Sequence, residues 1–426
     1  MFRFMMKKIE NILINKKTVT NLCFKNKKAV RFPLFLISLF LIFMFSCYDS
    51  GTQKNTSLTN EEAVEFADIN LEKAVREELD IPQRDITEQD MLTLTSFKAV
   101  GREIESLDGL EYATNLERLW IKRNAITDIS PLAGLTDMKM LWLTKNDIAD
   151  ITPLKRLNKL SVLQLRSNNI TNLSALGDLT NLEALSLSSN DITDISPLAD
   201  LTNLITLSLS SNDITEIAPL VNLTSLKSLR LNSNTITDIT PLAELTDVKL
   251  LMLNSNSITD ISSLRGLANL EGLLLNSNTI TDISPLIENE GLTSGDTLRI
   301  KANPLDPVAY YEHIPELENR GLRIHHDKPG EIQGSVVHSR TGEGLEGVTV
   351  YLDVDHDSEF DDWEVSTTSS SNGTYSFKPI GAYNYQVRIN TEDGKSVKSP
   401  AEGYYTVDLS EAEQVKGKDF GLAKDF

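Results

Sequence analysis

The sequence predicts an α/β fold, in which a right-handed solenoid of short repeats is followed by an all-β sandwich domain. A unit of 22 residues recurs without interruption. Each unit carries the alternating leucines of one short strand, and from Glu331 onwards this period gives way to short alternating runs. We therefore expect a horseshoe with a parallel sheet on its concave side and 3₁₀ segments or turns on its convex side.

Composition and period divide the chain into six segments. They are a signal peptide at 1–46, a polar linker at 47–60, a helical N-terminal cap at 61–93, the repeats at 94–303, a C-terminal cap at 304–330 and the β-sandwich domain at 331–426.

The N-terminus is typical of an exported protein. A lysine-rich stretch precedes an almost wholly apolar run of 15 residues at 32–46 and then Cys47, which is the order of a secretory signal. The apolar run is shorter than the ~20 residues of a membrane-spanning helix. Met44-Phe45-Ser46-Cys47 resembles a bacterial lipobox, which implies a lipid anchor on Cys47 and a location in the cell envelope or on the cell surface, at the outer membrane in a Gram-negative cell. An ordinary signal peptide and an uncleaved anchor are the alternatives.

Charge argues against a nucleic-acid partner. Beyond residue 46 the chain holds 32 basic and 60 acidic residues, a net charge of −28. Such a surface repels phosphates unless a local basic stripe overcomes the repulsion. Removal of the signal would also remove Cys23, and lipidation would use Cys47, so no disulfide is expected.

In the N-terminal cap, FADINLEKAVREELD places Leu71, Val75 and Leu79 on one helical face. Thr87 and Asp90 have the spacing of a capping box, which predicts a second short helix. After the repeats we expect a last strand and a closing helix. Both caps would cover the terminal apolar layers of the solenoid.

The repeats keep a constant step of 22 residues, from Asn124 to Asn278. Their pattern, L-x-x-L-x-L-x-x-N-x-I-x-x-I-x-x-L-x-x-L, is that of the leucine-rich repeat, and I-T-D-I-S-P-L resembles the bacterial internalin-like subclass. Leu185 and Leu187 should point inward and Ser186 outward. We expect the asparagines to satisfy backbone groups at the bend, and the aspartates after them, such as Asp194, to form a solvated turn face.

Six alternating runs follow the repeats: IQGSVVHS, GVTVYLDV, GTYSFKPI, YNYQVRIN, TVDLS and DFGLA. They predict a small β-sandwich. The order G-V-T-V-Y-L-D, N-G-T-Y-S-F and D-F-G-L resembles the SdrD B-like domains of bacterial surface proteins, which are related to carboxypeptidase regulatory-like folds. This resemblance implies a stalk or spacer.

The segment DVDHDSEFDDWE has the ligand spacing of a calcium loop. Carboxylates occupy its positions 1, 3, 5, 7, 9 and 12. These residues are Asp353, Asp355, Asp357, Glu359, Asp361 and Glu364. Ser358 stands where such loops have glycine, and strands rather than helices should flank it. The alternatives are therefore a Ca²⁺ site and a solvated acidic loop.

A ligand site is expected on the outward residues of the concave sheet. Two tryptophans occupy its first repeats, with basic residues around them, and both types are common in binding hot spots. The candidate ligand-binding residues are Arg118, Trp120, Lys122, Arg123, Trp142, Lys145, Gln164, Arg166 and Arg230. The alternative is that the two rings pack on each other and meet no partner.

Binding is the function that the sequence favours. The chain carries no H-E-x-x-H, G-x-S-x-G or P-loop motif, so we do not expect an enzyme. We expect an adhesin or receptor that recognises a protein or a glycan. The alternative is a structural envelope or stalk protein without a specific ligand.

Overall fold

Short parallel strands line one face of the repeat array, one strand to each repeat. The computed structural model describes residues 62–381, 383–391, 395–409 and 414–424. Within these ranges, eleven strands of the array pair side by side in chain order. They are β1 Ser96–Lys98, β2 Arg118–Trp120, β3 Met140–Trp142, β4 Val162–Gln164, β5 Ala184–Ser186, β6 Thr206–Ser208, β7 Ser228–Arg230, β8 Leu250–Met252, β9 Gly272–Leu274, β10 Thr297–Arg299 and β11 Arg323–His325.

The sheet keeps the register of the sequence repeat. Leu163 pairs with Leu185 and Leu185 with Leu207. Leu185 and Leu187 are buried, whereas Ser186 between them is half-buried on the outer face. The predicted alternation and the predicted fold class, a parallel sheet with turns on the other side, are both confirmed.

The side opposite the sheet is built from 3₁₀ turns. Most of them begin with a serine or threonine that is followed by proline or alanine. Proline fixes φ and lacks a backbone N–H, so it suits the first positions of such a turn. The turns are Leu110–Tyr112, Ser130–Leu132, Thr152–Arg156, Ser174–Leu176, Ser196–Leu198, Ala218–Leu220, Thr240–Leu242 and Ser262–Gly266, and a short helix, α3 Ser284–Glu288, takes their place in the next repeat.

The aspartates before these turns have a structural role as well as a solvated surface. Asp194 Oδ1 accepts a hydrogen bond from the backbone N–H of Ser196 at 2.8 Å, and its Oδ2 accepts one from the Ser196 hydroxyl at 3.0 Å. These bonds lower the pKa of Asp194. The carboxylate therefore begins the turn by satisfying a free donor, in the manner of a helix N-cap.

The asparagine of each repeat bonds to the backbone of two repeats. Asn212 donates from Nδ2 to the carbonyl oxygens of Leu209, at 2.8 Å, and of Leu187, at 3.2 Å. Its Oδ1 accepts from the N–H of Ile192 at 3.1 Å. Three backbone groups that no strand or helix pairs are thus satisfied inside the molecule, which confirms the structural role expected for this residue.

A second asparagine ladder was not expected from the sequence. It lies at the outer end of three later strands. Asn232 Oδ1 accepts from the backbone N–H and the side chain of Asn254, both at 2.9 Å. Asn254 Oδ1 accepts from the N–H of Asn276 at 2.9 Å. These side-chain amides add a further row of hydrogen bonds between successive repeats on the exposed face of the sheet.

Both ends of the array are capped. The N-terminal cap holds α1 Ile69–Leu79 and α2 Glu88–Met91, and α2 begins with the predicted capping box of Thr87 and Asp90. The C-terminal cap holds a π-helical turn Ala309–His313 and the expected helix, α4 Ile314–Asn319. It also holds the expected last strand, β11.

The C-terminal domain is a pair of β-sheets around a shared core that includes Val350, Phe377 and Tyr385. One sheet has the order β15-β12-β20-β17 with β19 beside β12, and the other has the order β14-β13-β16-β18. Its strands are β12 Gly330–His338, β13 Thr349–Asp353, β14 Ser366–Thr368, β15 Thr374–Ile380, β16 Asn384–Ile389, β17 Lys395–Ser399, β18 Tyr405–Asp408, β19 Gln414–Val415 and β20 Phe420–Lys424. The sequence runs had predicted six of these strands and missed β14, β17 and β19.

The predicted signal peptide and the predicted polar linker, with Cys47, lie outside the described residues. Among the helices that the structure describes, none combines the length and apolar character needed to cross a membrane.

The asparagine ladder makes a testable prediction for stability. Asn212→Ala should lower the free energy of unfolding by roughly 1–3 kcal/mol, because it leaves buried backbone groups without partners. Urea denaturation monitored by circular dichroism would measure this loss. Asn203→Ala is the matched control, since Asn203 is exposed and donates one hydrogen bond, to Thr180 O at 2.8 Å. Equal losses in both variants would contradict the structural role.

Candidate functional site

Two tryptophans stand next to each other on the outer face of the sheet. Trp120 at the end of β2 pairs in register with Trp142 at the end of β3, and both are half-buried. Their ring centroids lie 4.6 Å apart and the ring planes differ by 12°. The two rings therefore pack on each other, as the alternative interpretation expected, but both side chains remain partly exposed.

The stack decides which part of each ring a ligand can reach. The distance between the rings is close to the ~4.8 Å spacing of neighbouring strands, so the planes stand upright and their faces point along the ladder. One face of each ring is covered by the other ring, and the next residues along the ladder are Lys98 on β1 and Gln164 on β4. Ring edges are left to face a ligand above the sheet.

Basic side chains surround this pair. Arg118 is exposed at the start of β2, Lys122 and Arg166 follow the strands on the same face, and Arg123 and Lys145 are exposed at the next position. Arg123 and Lys145 both have left-handed backbone with φ of 61°, a conformation that recurs before each ladder asparagine. This backbone conformation turns the two side chains away from the core, just after the C-terminal ends of β2 and β3.

Within the part of the chain that the structure describes, these cations have no ion-pair partner. Among the ion pairs of the described residues, none involves Arg118, Lys122 or Arg166. Some lysines that directly precede a strand do form ion pairs. Lys139, just before β3, has its Nζ 2.7 Å from Glu117 Oε1. We call the two tryptophans and their basic neighbours, together with Gln164, the tryptophan patch. Its members are Arg118, Trp120, Lys122, Arg123, Trp142, Lys145, Gln164 and Arg166.

One predicted site residue lies apart from the tryptophan patch, and one neighbour was missed. Arg230 belongs to β7, four strands from Trp142 on β3, which is about 19 Å at the usual spacing. Conversely, Lys98 pairs directly with Trp120 and is exposed. It stands 22 residues before Trp120, one full period, and was missed because the asparagine series that marked the repeats begins only at Asn124.

The acidic loop brings most of its predicted carboxylates together. Asp353, Asp355 and Glu364 each offer an oxygen within 4.8 Å of the others, and so do Asp355, Asp357 and Asp361. Glu359 belongs to neither group, although position 7 of a calcium loop binds through its backbone carbonyl. The loop runs from the end of β13 almost to β14, so strands flank it as expected.

One buried oxygen of this loop has no partner. Asp353 is fully buried, and its Oδ2 lies 2.5 Å from Arg388 Nε, whereas its Oδ1 accepts no hydrogen bond. A buried charged oxygen without a partner is costly. A cation bound beside Asp355 and Glu364 would satisfy it.

The other ligands are already held in place by the loop backbone. Glu364 accepts from the N–H of Val354 on Oε1 at 2.9 Å and from Asp361 on Oε2 at 3.2 Å. Burial, together with the nearby charges of Asp353 and Asp355, raises the pKa of Glu364 to about 7. Ser358 adopts a φ of 74°, so the position does require the left-handed turn for which glycine is the usual residue.

Comparison with known proteins agrees with this geometry. A family model described as leucine-rich repeats in two copies matches residues 114–156, 158–200 and 202–244. The chain is a leucine-rich-repeat protein. No curated protein matches it.

Several solved structures are similar to this leucine-rich-repeat protein. Internalin C2 from Listeria monocytogenes has 37% sequence identity and a TM-score of 0.47, over 48% of this chain and 92% of that one. Internalin F from the same organism has 31% identity and a TM-score of 0.46, over 62% and 91%. A leucine-rich-repeat protein from Leptospira interrogans has 24% identity and a TM-score of 0.48, over 52% and 57%.

Proposed function

We propose that this protein is an exported binding protein of the internalin-like type, an adhesin or receptor that recognises a protein through the tryptophan patch. The observation that carries the proposal is the stacked pair of Trp120 and Trp142 on the outer sheet face, 4.6 Å apart and half-exposed. Tryptophan and arginine are enriched among the residues that contribute most of the binding energy at protein interfaces. Binding, not catalysis, is the activity that such a surface supports.

The ring orientation favours a protein over a glycan as the ligand. A sugar ring stacks on the flat face of an aromatic side chain. In the stack of Trp120 and Trp142 the inner faces cover each other, and the outer faces point along the ladder. Ring edges suit side chains and backbone groups of a protein partner, so a glycan is the second candidate.

The tryptophan patch leads to a binding prediction. Trp120→Ala with Trp142→Ala should weaken the cognate complex by at least about 30-fold, the effect of losing one hot spot of about 2 kcal/mol. Arrays of surface proteins and of glycans would first identify the ligand, and surface plasmon resonance would then compare the variants.

Two controls accompany this measurement. Tyr311→Ala removes an aromatic side chain that is 68% exposed and lies outside the sheet, and should leave affinity unchanged. Lys122→Glu keeps the stacked rings and should still weaken binding. Unchanged affinity in the double tryptophan variant would place the site elsewhere, and a protein with no ligand on either array would favour the structural envelope or stalk role.

We also propose that the acidic loop binds Ca²⁺ and stabilises the C-terminal domain, which by its resemblance to SdrD B-like domains would act as a stalk or spacer. The unpartnered buried Oδ1 of Asp353 supports this proposal. Asp355, Asp357, Asp361 and Glu364 would supply the remaining carboxylate oxygens. Such a hard oxygen set suits Ca²⁺.

Calcium should raise the melting temperature of the whole chain. At a concentration 100 times the dissociation constant the stabilisation is about 2.7 kcal/mol. Differential scanning calorimetry with CaCl₂ and with a chelator would measure it. Asp355→Asn with Asp357→Asn should abolish the shift while leaving the pair of Asp353 and Arg388 intact.

The matched control for calcium binding is Asp191→Asn with Asp213→Asn, which removes the same charge from exposed positions in the repeats. This variant should retain the calcium shift. A wild-type chain whose melting temperature does not respond to CaCl₂ would refute the calcium site.

We further propose that Cys47 carries a lipid that anchors the protein to a membrane at the cell envelope or surface. Cys47→Ser should move the protein from the membrane fraction to the soluble fraction and remove incorporation of labelled palmitate, because the thiol is the acceptor of the lipid. Cys23→Ser is the control and should change neither. A membrane-bound, unlabelled Cys47→Ser protein would indicate an uncleaved anchor instead.

A further inference from the structure

The acidic loop also contacts the repeat array. The hydroxyl of Thr281 donates a hydrogen bond to the backbone carbonyl oxygen of Trp363 at 3.1 Å. Trp363 directly precedes Glu364, the last candidate ligand of the loop. The same end of the loop therefore carries a candidate metal ligand and a hydrogen bond to the last full repeat.

The burial of this threonine shows how far the C-terminal domain covers the repeats. The equivalent threonine is exposed at Thr237, half-buried at Thr259 and 7% exposed at Thr281. Because the repeats are otherwise alike, the difference comes from what lies over them, namely the acidic loop and the C-terminal cap, in which the N–H of Asp306 donates to the carbonyl oxygen of Thr281 at 3.0 Å. The acidic loop is packed against the last repeats of the array.

A second contact joins the two parts away from the acidic loop. The backbone N–H of Gly381, which follows β15, donates to the carbonyl oxygen of Leu305 in the C-terminal cap at 3.0 Å. A Cβ atom on Gly381 would lie 2.0 Å from the carbonyl oxygen of Asn303. The backbones thus approach too closely for any side chain at this position.

Negative charge from both parts faces the cleft beside the Thr281 contact. The cleft has a volume of about 680 Å³, and its lining includes Asp282 and Asp306 from the array and Asp362 and Glu364 from the loop. Burial raises the pKa of Asp306, and the charge of Asp282 contributes to this shift. A divalent cation in the loop would offset the repulsion between the two sides.

We propose that a divalent cation bound by the loop at 353–364 fastens the β-sandwich to the last repeats. By holding Glu364, the cation fixes the adjoining carbonyl group of Trp363 and so strengthens its hydrogen bond with Thr281. The joint between the binding face and the C-terminal domain is then rigid with the metal and mobile without it. The inference rests on the proposed calcium site.

The test measures a contact that the metal does not touch. Hydrogen–deuterium exchange of the Gly381 amide in the full chain reports the junction, because this N–H bonds across it. Exchange should slow by about tenfold when CaCl₂ replaces the chelator, since local opening becomes less frequent. Thr281→Val, which keeps the shape of the side chain, should lose most of this slowing. Isothermal titration calorimetry should still find calcium binding in this variant, weakened by up to about the same tenfold factor because the coupling is reciprocal.

Two further variants complete the design. Thr281→Ser retains the hydroxyl and should restore the calcium effect, and Thr237→Val, at the same repeat position but exposed, should behave as the wild type. Calcium binding without any change at Gly381, or an unaltered calcium effect in Thr281→Val, would overturn the junction proposal and leave the calcium site standing. Absence of calcium binding in the wild type would refute both.

Discussion

A side-chain amide that recurs every 22 residues is the interaction on which the repeat array depends. The chain must turn inward after each strand, and the turn leaves backbone groups that no strand or helix pairs. Asn190, Asn212 and Asn234 each satisfy such groups in their own repeat and in the one before. Neighbouring repeats are therefore joined by polar contacts inside the core as well as by leucine packing, and an insertion in any repeat would break both.

This constraint has a consequence for function. A constant register puts the outward residue of each strand in one column, from Lys98 to His325. The core cannot vary without loss of packing, whereas the column can. The proposed recognition role therefore falls to its unusual members, and the stacked Trp120 and Trp142 differ most from the small serines of the middle repeats.

The C-terminal domain meets different physical demands. Its carboxylates crowd at one end of the sandwich, where Asp353 is buried with one oxygen paired to Arg388 and the other unpartnered. Crowded like charges destabilise a loop unless a cation neutralises them. Because this loop also touches Thr281, its charge balance bears on the joint with the repeats as well as on the domain itself.

The sequence by itself determined the period, the inward and outward residues, the caps and the ligand spacing of the acidic loop, because these depend on local pattern and on identical neighbours. Only the tertiary structure decided the rest. Side-chain packing decided that the rings of Trp120 and Trp142 stack on each other. The contact of Thr281 with Trp363, 82 residues away, follows from how two unlike domains pack, and no repeat pattern encodes that arrangement.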